Sequence, residues 1–270
     1  MGDSILKNGG CRLKGHLKSS RQDKPLFSVV TVVFNGENTL ERTILSVIDQ
    51  NYDNIEYIIV DGNSKDHTLD IIKQYNDQID YWISEPDTGI YNAMNKAIGL
   101  CTGDYIGFLN ADDWYEPDTF GYIVENLKND VDYFFGDLDV VDEEGILKSH
   151  FTVNLDNYKH HMPIPHPALF VKKNILAKLK FDESYRIAAD YDFVIKLINQ
   201  GFTYLYLKKK ITNFCLGGIS TSTNTNVEMF KVQKSHFGFI YASYWYLVRL
   251  NNPFANLLLK PLAALKTLVK

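Results

Sequence analysis

Four short apolar runs, each rich in β-branched or aromatic residues and each followed within four residues by Asp or Asn, constrain this chain more than any other feature. They are Phe27–Val33, Ile55–Val60, Tyr81–Ile83 and Tyr105–Leu109. Runs this short and this continuously apolar read as strands buried on both faces. Helical stretches intervene at roughly 37–50, 66–76, 89–100 and 116–128. Such alternation predicts an α/β fold with a mostly parallel central sheet flanked by helices. The 270 residues are enough to bury a core of that kind. The second half is less regular. Runs at 132–141 and 146–152 flank Asp142-Glu143-Glu144-Gly145 and predict a small antiparallel hairpin. A strand at Ala168–Val171, a helix over 188–199 and a strand at Thr203–Leu207 follow.

Charge divides the chain into three. Residues 1–25 hold six basic and two acidic side chains, and residues 227–270 hold six basic side chains against Glu228 alone. With a net charge of −5 overall, the body between them is strongly acidic. An acidic body argues against a nucleic-acid groove, which needs a basic stripe. The expected organisation is a basic, flexible arm (1–25), one α/β domain (26–226) and an aromatic, basic, helical tail (227–270). Cys11, Cys101 and Cys215 are odd in number and lack CxxC spacing, which excludes a disulfide scaffold or zinc knuckle and fits a reducing cytoplasm. No run is long enough for a spanning helix.

Polar side chains gather where the strands end, the place where open α/β sheets bind ligands. The segments are Thr31-Val-Val-Phe34-Asn35-Gly36, Asp61-Gly-Asn63-Ser64-Lys-Asp66, Glu85-Pro-Asp87-Thr-Gly89 and Asn110-Ala111-Asp112-Asp113. Each alone is an ordinary cap or turn; four in succession point to one site. No GxGxxG follows the first strand and no GxxxxGK[ST] occurs, so dinucleotide and P-loop modes are disfavoured. Lys65 and Asp66 spoil the 61–66 segment as a calcium loop. Paired carboxylates without a basic cradle suit a phosphate-bearing ligand that brings its own cation, with Asp112 and Asp113 favouring Mg²⁺ or Mn²⁺ over zinc.

Phe27-Ser-Val-Val-Thr-Val-Val-Phe-Asn35, Asp61-Gly-Asn-Ser-Lys-Asp66, Ser84-Glu-Pro-Asp-Thr-Gly-Ile-Tyr-Asn-Ala-Met-Asn-Lys96 and Phe108-Leu-Asn-Ala-Asp-Asp113 resemble the family 2 glycosyltransferases over about residues 26–220. The likeness is greatest to the bacterial capsule, colanic-acid and O-antigen type. It implies a GT-A fold, a nucleotide-diphosphate-sugar donor (UDP-sugar by family habit) and Mn²⁺ or Mg²⁺. It further implies metal-dependent transfer of a hexosyl or N-acetylhexosaminyl group to a glycan or lipid-linked acceptor.

Carried over by position, the resemblance implies that Thr31, Phe34 and Asn35 line the nucleotide pocket, with Phe34 stacked on the base. Asp61 then bonds the base, Ser64 and Asp66 support its loop, and Asp87, Tyr91 and Asn95 face base and ribose from one helix side, with Lys96 nearby. Ala111 and Asp112 lie where the family has Asp-x-Asp; Asn110 replaces the first acid, leaving Asp112 as principal metal ligand with Asp113 close by. In Arg186-Ile-Ala-Ala-Asp190-Tyr-Asp192, Ala189 stands where Glu is usual, and Asp190 is the implied general base. Asp190 shares a helix face with Phe193 and Leu197, whereas Asp192 points elsewhere as a surface or supporting acid. His166 is placed at acceptor or metal, and Gly217-Gly218 in a loop over the diphosphate.

The implied chemistry is inverting transfer with no covalent enzyme intermediate. Each element has a plainer alternative: Asp112-Asp113 as a helix cap, Asp190 as a cap on its own helix, Gly217-Gly218 as a turn. A catalytically inactive nucleotide-sugar or glycan-binding protein is the alternative function, suggested by Asn110 and Ala189. A nucleotidyltransferase is disfavoured, because its basic glycine-rich phosphate loop is missing. The tail, with Tyr241, Tyr244, Trp245 and Tyr246 before a Leu/Lys-rich end, suits an anionic membrane surface. Packing on the domain or in a homodimer is the alternative.

Overall fold

The computed structural model describes residues 7–127, 130–217 and 225–250. The strands are β1 (Lys7–Gly9), β2 (Phe27–Val33), β3 (Ile55–Asp61), β4 (Tyr81–Ser84), β5 (Tyr105–Phe108), β6 (Trp114–Tyr115), β7 (Tyr133–Val141), β8 (Leu147–Phe151), β9 (Leu169–Lys172) and β10 (Tyr204–Cys215). The helices are α1 (Leu40–Ile48), α2 (Thr68–Gln74), α3 (Ile90–Leu100), α4 (Thr119–Asn126), α5 (Lys173–Leu179), α6 (Ala189–Asn199), α7 (Thr225–Phe237) and α8 (Phe239–Arg249).

One sheet runs β1-β4-β3-β2-β5-β9-β7-β10-β6, with β8 on β7 as the expected hairpin. Strands β4, β3, β2 and β5 are mutually parallel, so Val33, Asp61 and Ser84 come to one rim. Phe108 pairs with Val30, and the chain beyond it climbs beside Thr31–Val33 to that rim. β9 runs antiparallel to both β5 and β7, and β10 parallel to β7, so this half of the sheet is mixed.

Alternation along β2 and β3 feeds two separate cores. Val29, Val33, Tyr57 and Ile59 face α1, α2 and α4, which contribute Leu40, Ile44, Ile72 and Phe120. Val30, Val32, Ile58 and Val60 face α3, α5 and α6, which contribute Met94, Ala97, Leu176 and Phe193. Both faces of the strands are covered, which is why their sequences are continuously apolar. Gly107 is required by packing: a Cβ there would lie 2.4 Å from the Phe170 ring across the β5–β9 pair. Phe170 in turn stacks on Phe134 at 5.0 Å.

The flexible arm expected over 1–25 is not what residues 7–25 form. β1 pairs antiparallel with β4 and extends the sheet by one strand. Basic side chains find acidic partners on the body: Arg12 on buried Glu56 at 2.5 Å, Lys18 on Asp80 at 2.9 Å, and Lys24 on Asp53. The charge asymmetry of the sequence is therefore largely an intramolecular pairing at this end. β10 is longer than expected, because Lys208-Lys209-Lys210 interrupts the apolar pattern while the backbone continues past a register shift, Lys208 taking φ +49°. Helix α7 packs on α6 around Ala188, Tyr191, Ile195 and Val232. Tyr241 and Trp245, expected at a headgroup zone, close instead on His160: the Tyr241 hydroxyl lies 2.5 Å from Nδ1 and the Trp245 ring 3.9 Å from the imidazole. Residues 251–270 and Gly218 lie outside the described residues. Among the described residues, no helix is long and apolar enough to cross a membrane.

Candidate active site

The rim at the ends of β2, β3 and β4 carries a slot with one aromatic wall. Phe34 leaves β2 with its ring 63% exposed, unusual for Phe and free of any packing requirement. Gly62 lies opposite: a Cβ on it would stand 3.3 Å from the Phe34 ring and 2.5 Å from Asp87 Oδ2. Ring, bare backbone and carboxylate thus meet in one place. Asp87 is fixed there by the Gly89 N–H, which donates to its Oδ1 at 2.9 Å. Lys96 holds the same loop from below, donating to Pro86 O at 2.9 Å and pairing with Glu85 at 2.7 Å.

The neighbouring polar residues build this slot rather than line it. Asn35 takes φ +53°; its N–H donates to Ser64 Oγ and its Oδ1 accepts from Lys65 N–H, at 2.8 and 2.9 Å. Asp61, expected on the base, is fully buried, with its carboxylate accepting from Ser64 Oγ (2.5 Å) and Ser84 Oγ (2.6 Å). Asp66 accepts from the Thr68 hydroxyl at 2.6 Å and from Glu37 N–H at 3.1 Å. Burial pushes the Asp66 carboxyl up, but those hydrogen bonds outweigh it and hold it below the usual range. Thr31 departs further from expectation. It is fully buried on the α1 side of the sheet, 3.1 Å from the Tyr57 hydroxyl, because residue 31 alternates inward with Val29 and Val33.

After β5 the chain presents Asn110-Ala111-Asp112-Asp113. Asp113 is fully buried and turned inward, accepting from Cys215 N–H of β10 at 2.9 Å and from Asn110 Nδ2 at 3.3 Å. It is thus a tie between strands and not the second metal ligand expected. Asp112 is half-buried, and no other described residue hydrogen-bonds its carboxylate. Burial pushes its pKa up, with Arg42 opposing. The Arg42 guanidinium lies flat over Trp114 at 3.8 Å and donates to Asp112 O and Glu143 O, both at 3.2 Å. Asn110 Oδ1 is buried without a partner. One uncommitted carboxylate and one unpartnered amide oxygen are the hard donors that Mg²⁺ or Mn²⁺ accepts, its remaining ligands coming from substrate phosphates. No cluster of three or more His, Cys, Asp or Glu suited to a metal occurs among the described residues, so an all-protein cage is not built here. Ala111 packs near Gly36 beneath this turn, and Gly217 stands near Glu143, with a Cβ there 3.2 Å from Oε1.

The third part of the site is the N-terminus of α6. Asp190 Oδ1 accepts from Tyr191 N–H at 2.8 Å and from the Tyr91 hydroxyl at 3.1 Å. Tyr91, expected to face the nucleotide, is buried by stacking on Phe181, and its one hydroxyl proton is shared between Asp190 and Ile187 O, the latter at 2.6 Å. His166 stacks on Phe108 at the end of β5, and its Nε2 is buried without a hydrogen bond. Burial raises the Asp190 pKa, with His166 beside it opposing; burial likewise lowers that of His166, with Asp190 opposing. The pair is therefore a neutral imidazole near a carboxylate of raised basicity, at the strand end that leads into Asp112.

Two expected residues lie elsewhere. Asn95 grips the segment before α6: its Nδ2 donates to Phe181 O and Glu183, and its Oδ1 accepts from Phe181 N–H. The helix turns it away from Asp87, which precedes α3. Asp192, read as a surface acid, is buried between Lys196 (2.6 Å) and His236 of α7 (2.7 Å). Arg42, Trp114 and Glu228 were not legible as site residues. For Glu228 alone there was a signal, as the single acid of a basic tail.

A rim of parallel strands bearing an exposed aromatic ring and an uncommitted carboxylate, with a half-buried carboxylate at the start of α6, is the kind of edge at which open α/β sheets bind ligands. Residues 28–200 match the model of glycosyl transferase family 2. The chain belongs to the family 2 glycosyltransferases. It is 33% identical over 189 residues to an uncharacterized glycosyltransferase of Mycobacterium tuberculosis, covering 64% of this chain and 68% of that protein. Among solved structures it resembles S. aureus TarS 1–349 in complex with UDP-GlcNAc (TM-score 0.64, 18% identity, 85% of this chain and 73% of that one). It also resembles the mannosyltransferase PcManGT of Pyrobaculum calidifontis in complex with GDP-Man and Mn²⁺ (TM-score 0.63, 16% identity, 89% and 76%). These likenesses establish the GT-A fold.

Proposed function

We propose that this glycosyltransferase moves a sugar from a UDP-sugar to a hydroxyl of a glycan or lipid-linked acceptor, with inversion, in bacterial surface polysaccharide synthesis. The base stacks on Phe34 beside Asp87 and Gly62. Asp112, with Asn110 two residues before it, would hold Mn²⁺ or Mg²⁺, whose chemistry is to neutralise charge on the departing diphosphate. Asp190 takes the proton of the acceptor hydroxyl as that oxygen forms its bond to the anomeric carbon. The bond to the diphosphate breaks on the opposite face, and its electron pair leaves with the nucleotide. An α-linked donor then gives a β-linked product.

The observation that carries this reading is Asp190: a half-buried carboxylate of raised basicity, held through one oxygen by Tyr91 and the Tyr191 amide. A helix cap has no need of that environment. Asn110 and Ala189 favour the inactive-binder reading, and the retained Asp112 and Asp190 oppose it. The membrane-facing surface is proposed for α8, where Phe239 and Ile240 are 62% and 66% exposed, with Lys234 of α7 over the Phe239 ring.

The test is thermal stability against UDP, GDP, TDP and CMP, with and without Mn²⁺, for wild type and Asp112→Asn. A shift with UDP that needs the ion and is lost in the variant supports the reading. A shift with none of the four refutes it.

A further inference from the structure

The first turn of α6 carries Asp190 but has no cap of its own. Its N-cap residue is Ala188, without a side-chain hydrogen bond, and Arg186-Ile-Ala-Ala supplies no Ser, Thr, Asn or Asp. Such a corner leaves backbone N–H groups that must find partners when buried. They find them on another helix. Glu228, in the first turn of α7, is 9% exposed and directs its carboxylate at the corner. Oε1 accepts from Arg186 N–H at 2.9 Å, and Oε2 from Ile187 N–H at 2.7 Å and Ala188 N–H at 3.0 Å. Three successive amides thus converge on one carboxylate at the positive end of α6.

The same corner is wired to the reacting end of the helix. The single proton of the Tyr91 hydroxyl is shared between Ile187 O at 2.6 Å and Asp190 Oδ1 at 3.1 Å. A shift of 186–188 therefore moves Tyr91, the Asp190 carboxylate, or both. A second tie between α7 and α6, His236 to Asp192 at 2.7 Å, lies one turn along and does not reach this corner.

We infer that Glu228 is a positioning residue for the transfer reaction: the C-terminal helix α7 pins the segment that enters α6 and so fixes the catalytic carboxylate. This rests on Asp190 being the base. It gives α7, outside the family-matched residues 28–200, a defined part in the chemistry.

The experiment follows nucleoside diphosphate release from UDP-, GDP- and dTDP-sugars with Mn²⁺, then compares variants on the donor that wild type turns over fastest. Glu228→Gln keeps the side-chain volume but turns an NH₂ toward an N–H. Its kcat is expected to fall about 10- to 100-fold with the donor KM nearly unchanged, since misplacement by about 1 Å is enough. Glu228→Asp, with a carboxylate on a shorter arm, should fall between the two, and it carries the test if Glu228→Gln does not fold. His236→Ala is the control: it should lower Tm while leaving kcat at the wild-type level. If Glu228→Gln lowers Tm as His236→Ala does and kcat stays intact, the positioning role is refuted. Asp190→Asn separates the two claims. Activity retained there overturns the base assignment and the positioning with it, whereas loss there with Glu228→Gln fully active overturns the positioning alone.

Discussion

Replacing Phe34 by Ala separates binding from folding with unusual clarity. The ring is 63% exposed and its nearest neighbours across the slot are Gly62 and Asp87, so its removal opens no core cavity. The fold should lose no more than about 0.5 kcal/mol, as for a surface substitution. A nucleotide base lying on that ring is stabilised by about 1–3 kcal/mol, the range of base–aromatic stacking. The predicted loss in affinity is then about 5- to 150-fold, at tenfold per roughly 1.4 kcal/mol. Calorimetric titration of UDP in the presence of Mn²⁺ reads this directly on wild type, Phe34→Ala and Phe34→Tyr. Phe34→Tyr keeps the aromatic face and should bind within about twofold of wild type, with stacking retained. At saturating donor kcat should be unchanged in Phe34→Ala, since stacking holds ground state and transition state alike. Equal dissociation constants for wild type and Phe34→Ala, with equal Tm, would place the base elsewhere and refute the slot. A large fall in Tm would refute the claim that the ring does no structural work.

Asp190→Asn should abolish transfer, by about 10²-fold or more for loss of a general base, while UDP affinity is retained. The sign of its pH behaviour follows from burial. The folded-state pKa is raised, so the wild-type side chain contributes stability below the unfolded carboxylate range and loses it as pH rises through the folded value. Asp190→Asn should therefore be more stable than wild type at pH 7, and the difference should shrink on acidification; equal stability at both pH values would contradict the raised pKa. Wild-type activity should fall as pH drops through the same raised value, because the base is then protonated. Gly107→Ala drives a methyl to 2.4 Å from the Phe170 ring, and should cost about 1–3 kcal/mol by overpacking, read as a lower Tm in thermal melts; an unchanged Tm would mean that the ring gives way freely.

The parallel half of the sheet was legible because burial on both faces leaves a local signature. Phe27–Val33 was bounded to the residue, and the other three strands to within one. The rim segments were legible as neighbours, but several of their polar side chains serve structure: Asn35, Asp61 and Asp66 tie the loops together and Asp113 ties two strands. What was not legible was orientation. Asp112 and Asp113 are adjacent and chemically alike, yet one faces the rim and the other bonds Cys215 of a strand far along the chain. Thr31 looked like rim and is core, because only the register of β2 against β3 decides its side. Residues 7–25 read as a free arm because their partners, Glu56, Asp53 and Asp80, are ordinary acids until the sheet brings them together. Contacts of this range carry no local pattern.

Unsatisfied buried polar atoms are one further feature of the residues around the end of β5. Leaving one unpaired costs about 1–3 kcal/mol, so a fold keeps few of them without reason. Among the described residues, the buried side-chain atoms without a hydrogen bond are Arg42 Nε, Asn110 Oδ1 and His166 Nε2 around the end of β5, and Tyr115 Oη, Asp192 Oδ2, Gln233 Oε1 and Arg249 Nη1 elsewhere. Arg42 bonds the Asp112 backbone, Asn110 stands two residues before it, and His166 stacks on the residue that closes β5. Three separate elements thus leave polar capacity unspent around the end of one strand. Other buried acids are well paired: Glu56 takes Arg12, Ser28 and Thr102, and Glu228 takes three amides. A sequence able to satisfy those groups was able to satisfy these. Asp112 lies in the same turn as Asn110, and Asp190 faces His166, so unspent polar capacity and both carboxylates of the proposed reaction belong to the elements around the end of β5.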